Sequence, residues 1–271
     1  KDIWELINDK TKKRPAFVQN AVGGGKHSDG KKPDFQEFLI VSNDYDKNLK
    51  VYDYIKDNLK KYDEKFKGEK NDENALQTSL NEKQILEILK ELKEKFNFKI
   101  GIDAAASSFF SRKKYKYQNP KLDRTKEEQR EYISNLIKNL DIFYLEDPFE
   151  ENDFESFAII LKKFPKVLVA GDDLTATNPI RVKKAIEEKS INAMIIKPNQ
   201  IGSLLKVWEV VNLCKKNNIK MIFSHRSGET SESILADLAV GFEADYIKCG
   251  ISGKERIAKI NRLSEIESEI N

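Results

Sequence analysis

The chain has 271 residues, with 48 Lys and Arg against 45 Asp and Glu, a formal net charge of +3. That balance is too small and too evenly spread to mark nucleic acid or anionic lipid as the partner, and 39% hydrophobic residues exclude a disordered chain. The length suits one large domain and leaves little for a second. No apolar run approaches the roughly 18 residues of a membrane span, and no basic-then-apolar signal opens the chain. The two cysteines, Cys214 and Cys249, lie in no metal-ligand or redox spacing. A reducing compartment, the cytoplasm, is expected.

Residues 1–14 read as the end of a helix with Ile3, Trp4 and Ile7 near one face, followed by the basic TKKR break before Pro15. Because Lys1 rather than Met opens the chain, a preceding part is expected. Two strands are predicted at 16–22 and 35–41, separated by GGGKHSDGKKPD, whose glycines suit a turn or a mobile loop beside a ligand. Helical spacing of Tyr45, Leu49, Tyr52, Ile55, Leu59 and Tyr62 predicts a helix over 46–65. A second, over 81–96, carries Ile85, Leu86, Ile88, Leu89 and Leu92 and is capped by Asn81 or Ser79. Between them GEKNDENALQTSL is a polar loop.

From residue 97 the pattern becomes strand then helix. Six apolar runs end in polar tips: FKIGID at Asp103, IFYLED at Glu146 and Asp147, VLVAGD at Asp172, INAMIIK at Lys197, KMIFSH at His225 and ADYIK at Lys248. A long insertion after the first run holds RKKYKY (112–117), read with TKKR as solvated loop or helix edge, and precedes a helix near 126–139. Two early strands, two helices and six βα units predict an α/β fold, a TIM-type eight-stranded barrel. Residues 15–271 form it. The tips of parallel strands then meet at one face, so residues distant in sequence share a pocket.

The chemistry of those tips points to metal-assisted catalysis. Asp103, Glu146 and Asp172 are hard oxygen ligands suited to Mg²⁺, which takes a few carboxylates and leaves positions for water and substrate. Lys197, desolvated near cations, would lose its proton more readily than a free lysine and serve as a base. His225, Arg226 and Ser227 are a donor set for a phosphate or carboxylate, and Lys248 adds a further positive charge.

The segments GGGKHSDGKKPDFQEF, KIGIDAAAS, FYLEDPFEENDF, VAGDDLTATNP, IIKPNQIGSL, SHRSGET and YIKCGISGKERIAKINRL resemble the enolase family in order and spacing from about residue 15 onward. The resemblance implies a lyase interconverting 2-phosphoglycerate and phosphoenolpyruvate plus water, with two Mg²⁺ per active site. It assigns Asp103, Glu146 and Asp172 to the first metal and Lys197 to the carbon-2 proton. Arg226 and Ser227 take the phosphate, Lys248 the substrate carboxylate, and His225 and His27 line the pocket. Glu37 and Glu73 become candidates for the acid at the carbon-3 hydroxyl. Three departures stand out: the family's GDEGG loop survives only as Asp72 and Glu73 without glycines, the His27 loop is one residue longer, and Ser108 replaces a glutamate.

Family members also carry a smaller N-terminal α+β domain, of which residues 1–14 are read as a residual helix and linker. That domain supplies a serine-bearing loop over the second metal and much of the dimer contact. Second-metal binding and the family's homo-oligomer are therefore expected to be incomplete here. Two alternatives stay open: a superfamily relative acting on another acid, or a weakened enolase-like protein retained for binding.

Overall fold

Alternating side chains decide which face of each strand is buried where, and here the alternation sorts residues into two apolar layers. The computed structural model describes residues 1–270. Its main sheet comprises β1 (Ala16–Gly23), β2 (Glu37–Ser42), β3 (Lys99–Asp103), β4 (Ile142–Glu146), β5 (Leu168–Gly171), β6 (Ala193–Ile196), β7 (Lys220–Ser224) and β8 (Tyr246–Lys248). Pairing of β8 with β1 closes the barrel. Val18, Leu39, Val41, Tyr144, Ala170, Ala193, Ile195 and Ile222 form one buried cluster drawn from six strands, the barrel interior. Their neighbours, such as Ile100, Ile102, Leu145, Val169, Met194 and Ile247, belong to the larger cluster under the helices. Gly101 keeps the interior closable: a Cβ there would lie 3.0 Å from the Leu39 Cβ and 3.2 Å from that of Tyr144.

The order is two strands, two helices, then six βα units, as the spacing predicts. After β2 come α1 (Tyr45–Asn58) and α2 (Glu82–Phe96). The later crossovers are α3 (Lys126–Leu140), α4 (Phe154–Lys163), α5 (Pro179–Glu187), α6 (Leu204–Lys216) and α7 (Ile234–Gly241), and α8 (Lys254–Ile270) follows β8. Of the two candidate caps for α2, Asn81 is used: its side chain accepts the Gln84 N–H at 3.0 Å, and Gln84 returns a bond to the Asn81 N–H at 3.0 Å. Ser79 instead donates its hydroxyl to Asp63.

Three sequence expectations change. β2 runs antiparallel to both β1 and β3, so the barrel is not wholly parallel. The first long helix stops at Asn58 and ends in a 3₁₀ turn, Leu59–Lys61, rather than reaching residue 65. RKKYKY is no solvated edge: Lys114–Gln118 is the central strand of a small antiparallel sheet, flanked by Phe110–Ser111 and Lys121–Arg124. Its Lys-Tyr alternation is a strand period that buries Tyr115 and Tyr117, and Arg112 and Lys113 make the left-handed turn at φ 50° and 60°. The 1–14 segment, read as the end of a helix, is docked on the barrel. Its helix Ile3–Asn8 buries Trp4 against α7, where a Cβ on Gly241 would come within 2.9 Å of Ile7.

Both cysteines are buried free thiols, and burial pushes each up to about 12, far from thiolate chemistry. Among the described residues no helix is long and apolar enough to cross a membrane.

At the start of α2, Glu82 is buried with Tyr132 donating to one oxygen at 3.0 Å and the other oxygen unpartnered. Burial pushes its carboxyl from 4.5 up to about 7. A raised folded value means that its contribution to stability is full below about pH 4.5 and fades as the pH rises through 7, worth on the order of 3 kcal/mol at most. Glu82→Gln should therefore gain melting temperature relative to the parent progressively between pH 5 and 8. A difference that stays constant over that range would show that Glu82 is not held protonated.

Candidate active site

The reversal of β2 gives the site its composition. Because that strand runs backwards, its first residue, Glu37, stands in register with Asp103, the last residue of β3. Asp103 in turn pairs with Glu146 at the end of β4, and Lys248 at the end of β8 pairs with both Ser224 and Val18. The ends of β2, β3, β4 and β8 thus bring Glu37, Asp103, Glu146 and Lys248 together as a polar floor above the apolar interior. Above them lies a mainly polar cavity of about 410 Å³.

Lys248 is the centre of this floor. Its buried ammonium lies 2.9 Å from Glu37 Oε2, 2.8 Å from Asp103 Oδ2 and 2.8 Å from Glu146 Oε2. Tyr144, two residues earlier on the inward face of β4, donates its hydroxyl to Glu146 at 2.6 Å. Burial alone would strip the lysine of its proton, but the three carboxylates outweigh it and push its pKa well above the ordinary value. Burial and the neighbouring acids push Glu37 and Glu146 well above the carboxylate range, despite Lys248.

Lys197 departs from the sequence expectation. Burial does favour the neutral amine, but the side chain pairs directly with Asp172, and that carboxylate pushes the lysine up rather than down. Beside this pair, Asp147 accepts backbone N–H bonds from Asp172 at 3.1 Å and Asp173 at 2.6 Å, while burial and those same acids push its pKa well up. Asp173 rises to about 6, first through burial, then through Asp172. Oxygens of Asp147, Asp172 and Asp173 lie within 4.8 Å of one another, a cluster able to hold a metal ion. Asp147 and Asp173 are the second members of the doublets Glu-Asp and Asp-Asp. Sequence reasoning assigned only the first members, although the doublets were visible.

The predicted metal set is therefore split. Asp172 faces the cavity with Asp103, whereas Glu146 is fully buried behind Lys248 and does not line it. The donors are all oxygen, and the lining carries seven carboxylates against four Lys and Arg side chains. Such an excess of partly buried negative charge, visible in the raised carboxyl pKa values, fits a divalent cation.

Glu73 is placed despite its missing glycines. The Asn71 side chain accepts the N–H groups of Glu73 at 3.0 Å and Ala75 at 2.9 Å, and Asn74 takes the left-handed conformation at φ 63°. Leu76–Gln77 then pairs with the end of β1. Glu73 is buried beside Glu37, accepting from Asn20 at 3.1 Å, while Asp72 turns outward to His27 at 2.9 Å. At the opposite rim His225 is buried with Nδ1 unpartnered. Burial and the cations Arg256, Lys248, Lys197 and Lys259 hold it neutral. Arg226 is exposed and Ser227 half-buried at the mouth. Every sequence-predicted site residue except Glu146 lines this one cavity.

The profile of the enolase C-terminal TIM barrel domain matches residues 11–271. Among curated proteins, the chain is 41% identical over 265 residues to a protein named enolase from Pyrobaculum aerophilum, covering 93% of this chain and 63% of that one. It is 40% identical over 272 residues to the enolase of Methanosphaera stadtmanae, covering 94% and 66%. For the enolase of Sulfurisphaera tokodaii the identity is 38% over 282 residues, covering 99% and 67%. The chain thus spans about two thirds of the length of the curated relatives it matches.

Lys248→Met would leave Glu37, Asp103 and Glu146 buried without their shared counter-charge. In metal-free buffer at pH 8 it should cost about 3–5 kcal/mol of stability. The raised pKa values of Glu37 and Glu146 set the sign: protonation relieves the repulsion, so the loss should shrink as pH falls toward 5. Denaturant titrations that show the variant as stable as the parent at both pH values would refute this account of the floor.

Proposed function

The chain belongs to the enolase family through its C-terminal TIM barrel domain, and on that premise we propose that the protein is a lyase interconverting 2-phosphoglycerate and phosphoenolpyruvate plus water. The observation that carries the reading is the layout of one cavity. Lys197 lies on one wall, the Glu37–Glu73 pair on another, and the donors His225, Arg226 and Ser227 stand at the rim. With Lys248 on the floor as the fourth group, these match a substrate that has a phosphate, a carboxylate, an acidic C–H and a β-hydroxyl.

Lys197 removes the carbon-2 proton, which leaves on its Nζ. Glu37 and Glu73 lie close enough to share a proton, and the raised pKa of Glu37 keeps one available near neutral pH. The pair delivers it to the carbon-3 hydroxyl, the C–O bond breaks, water departs, and the electron pair left at carbon 2 forms the double bond. Arg226 and Ser227 hold the phosphate, Lys248 would turn from one of its three acids to meet the carboxylate, and His27 and neutral His225 close the pocket. Asp103 and Asp172, with Asp147 and Asp173 adjacent, line the cavity and would hold Mg²⁺, and Glu146, which the family resemblance assigns to the same ion, would join them only by turning from Lys248. Bound Mg²⁺ would offset the charge that develops on the substrate carboxylate and engage the Asp172 group that otherwise stabilises the Lys197 ammonium. Both the site and the substrate are anionic, which supports two cations rather than one. The same reading places the protein in the cytoplasm with a small molecule as its ligand. Of the other readings, the altered 71–80 loop gives less support to a binding-only protein, because Glu73 is held in the cavity by Asn71 and Asn20.

Full-length protein with Mg²⁺ and 2-phosphoglycerate should produce the absorbance of phosphoenolpyruvate, and Lys197→Ala should lower kcat by about 10²–10⁴. No product from the intact protein, or an unimpaired Lys197→Ala variant, would sink the proposal.

Millimolar Mg²⁺ should raise the melting temperature, by an amount equivalent to about 2.7 kcal/mol at a hundredfold excess over Kd, and Asp172→Asn should abolish the shift. A melting curve indifferent to Mg²⁺, or a shift that survives in the variant, would argue against this metal site.

A further inference from the structure

Behind the anion-facing rim, α8 presents two buried cations to backbone rather than to acids. Lys259 is 1% exposed, and its Nζ donates to the carbonyls of Thr230 at 2.8 Å, Glu232 at 2.7 Å and Glu255 at 3.1 Å. An ammonium has three donors, and all three are used. Arg256, 3% exposed, donates from Nη2 to the carbonyl of Ser227 at 2.9 Å. Its stem packs over Gly250, where a Cβ would lie 2.9 Å from Arg256 Cγ. The nearest carboxylates are looser, Glu229 at 3.7 Å from Lys259 and Glu255 at 3.6 Å from Arg256. Neither cation lines the cavity.

Burying two cations is costly unless the geometry they impose is needed. The segment they grip, residues 225–232, has no helix or strand of its own, yet it carries Arg226 and Ser227. Its carbonyls are fixed at Ser227, Thr230 and Glu232 by a rigid helix, so the exposed donors at its start are held from behind. Their positive charge also falls on the buried face of His225, which stays neutral.

We propose that Arg256 and Lys259 are positioning residues that clamp the 225–232 loop onto α8, setting the affinity of Arg226 and Ser227 for a phosphate group without touching the ligand. This rests on the reading of that loop as the phosphate site.

The test uses the full-length protein with Mg²⁺, 2-phosphoglycerate as substrate, and inorganic phosphate as a competing ligand. Arg256→Met and Lys259→Gln should each raise KM for 2-phosphoglycerate and the inhibition constant of phosphate on the order of tenfold to hundredfold. kcat should change less than about threefold, the signature of lost uniform binding. Arg256→Lys, which keeps a donor, should recover part of the loss, and amide exchange at 225–232 should quicken in both deletion variants. Unchanged KM and phosphate inhibition in folded variants would overturn the clamp, as would kcat and melting temperature collapsing together without a KM effect. If Lys259→Gln does not fold, Arg256→Met decides alone. Arg226→Ala separates the two layers of the argument: if it leaves phosphate inhibition unchanged, the loop is not the phosphate site and the functional reading fails. If it abolishes inhibition while the α8 variants behave as the parent, only the clamp fails.

Discussion

A single ammonium group, that of Lys248, holds together residues from β2, β3, β4 and β8. Three buried carboxylates that all lie within 2.9 Å of one ammonium repel one another strongly in a low-dielectric interior, and the arrangement is tolerable only with that cation at its centre. The rest of the site follows from that node. With Lys248 committed to Glu37, Asp103 and Glu146, the neighbouring acids Asp147, Asp172 and Asp173 have, among the described residues, Lys197 as their one ion-pair partner, and the surplus of negative charge collects where a metal would bind. Cations and neutral donors gather at the other rim, around His225 and Arg226. The cavity is therefore polarised, acidic at one side and anion-accepting at the other.

Much of this was legible in the sequence because strand periodicity and strand ends carry strong signals. Apolar runs of four to six residues closing on Asp103, Asp172, Lys197 or Lys248 announce both the barrel and its functional face. What the pattern does not carry is direction and pairing. Nothing in EFLIVS says that the strand runs against its neighbours, and that reversal alone brings Glu37 to the floor. Likewise the partner of Lys197 is a matter of three-dimensional neighbours: its side chain pairs with Asp172, whose carboxylate pushes its pKa up against the effect of burial. The RKKYKY segment misled for a different reason. Its charge density reads as solvent-facing, whereas the two tyrosines at alternate positions are the informative residues, buried against Phe109 and Phe110.

The loop around Glu73 shows how local chemistry can replace a motif. Glycines permit a tight path because they lack a Cβ, but asparagine reaches the same result by two routes: it tolerates the left-handed region, as at Asn74, and its side chain can stand in for a turn carbonyl, as at Asn71. Loss of the glycine pattern is therefore no guide to the position of the acid.

The separation along the chain of the groups that meet at Lys248 bears on how the molecule is assembled. Asp103 and Lys248 are 145 residues apart, and the lysine lies in the last strand. As the chain emerges from the ribosome, Glu37, Asp103 and Glu146 are all present long before their counter-ion. A partial barrel would have to bury three repelling acids, so early closure is disfavoured and the half-made sheet stays open to solvent. Docking of the final strand supplies the missing charge and the last edge pairing at the same moment. Closure of the ring and neutralisation of its floor are thus one cooperative event.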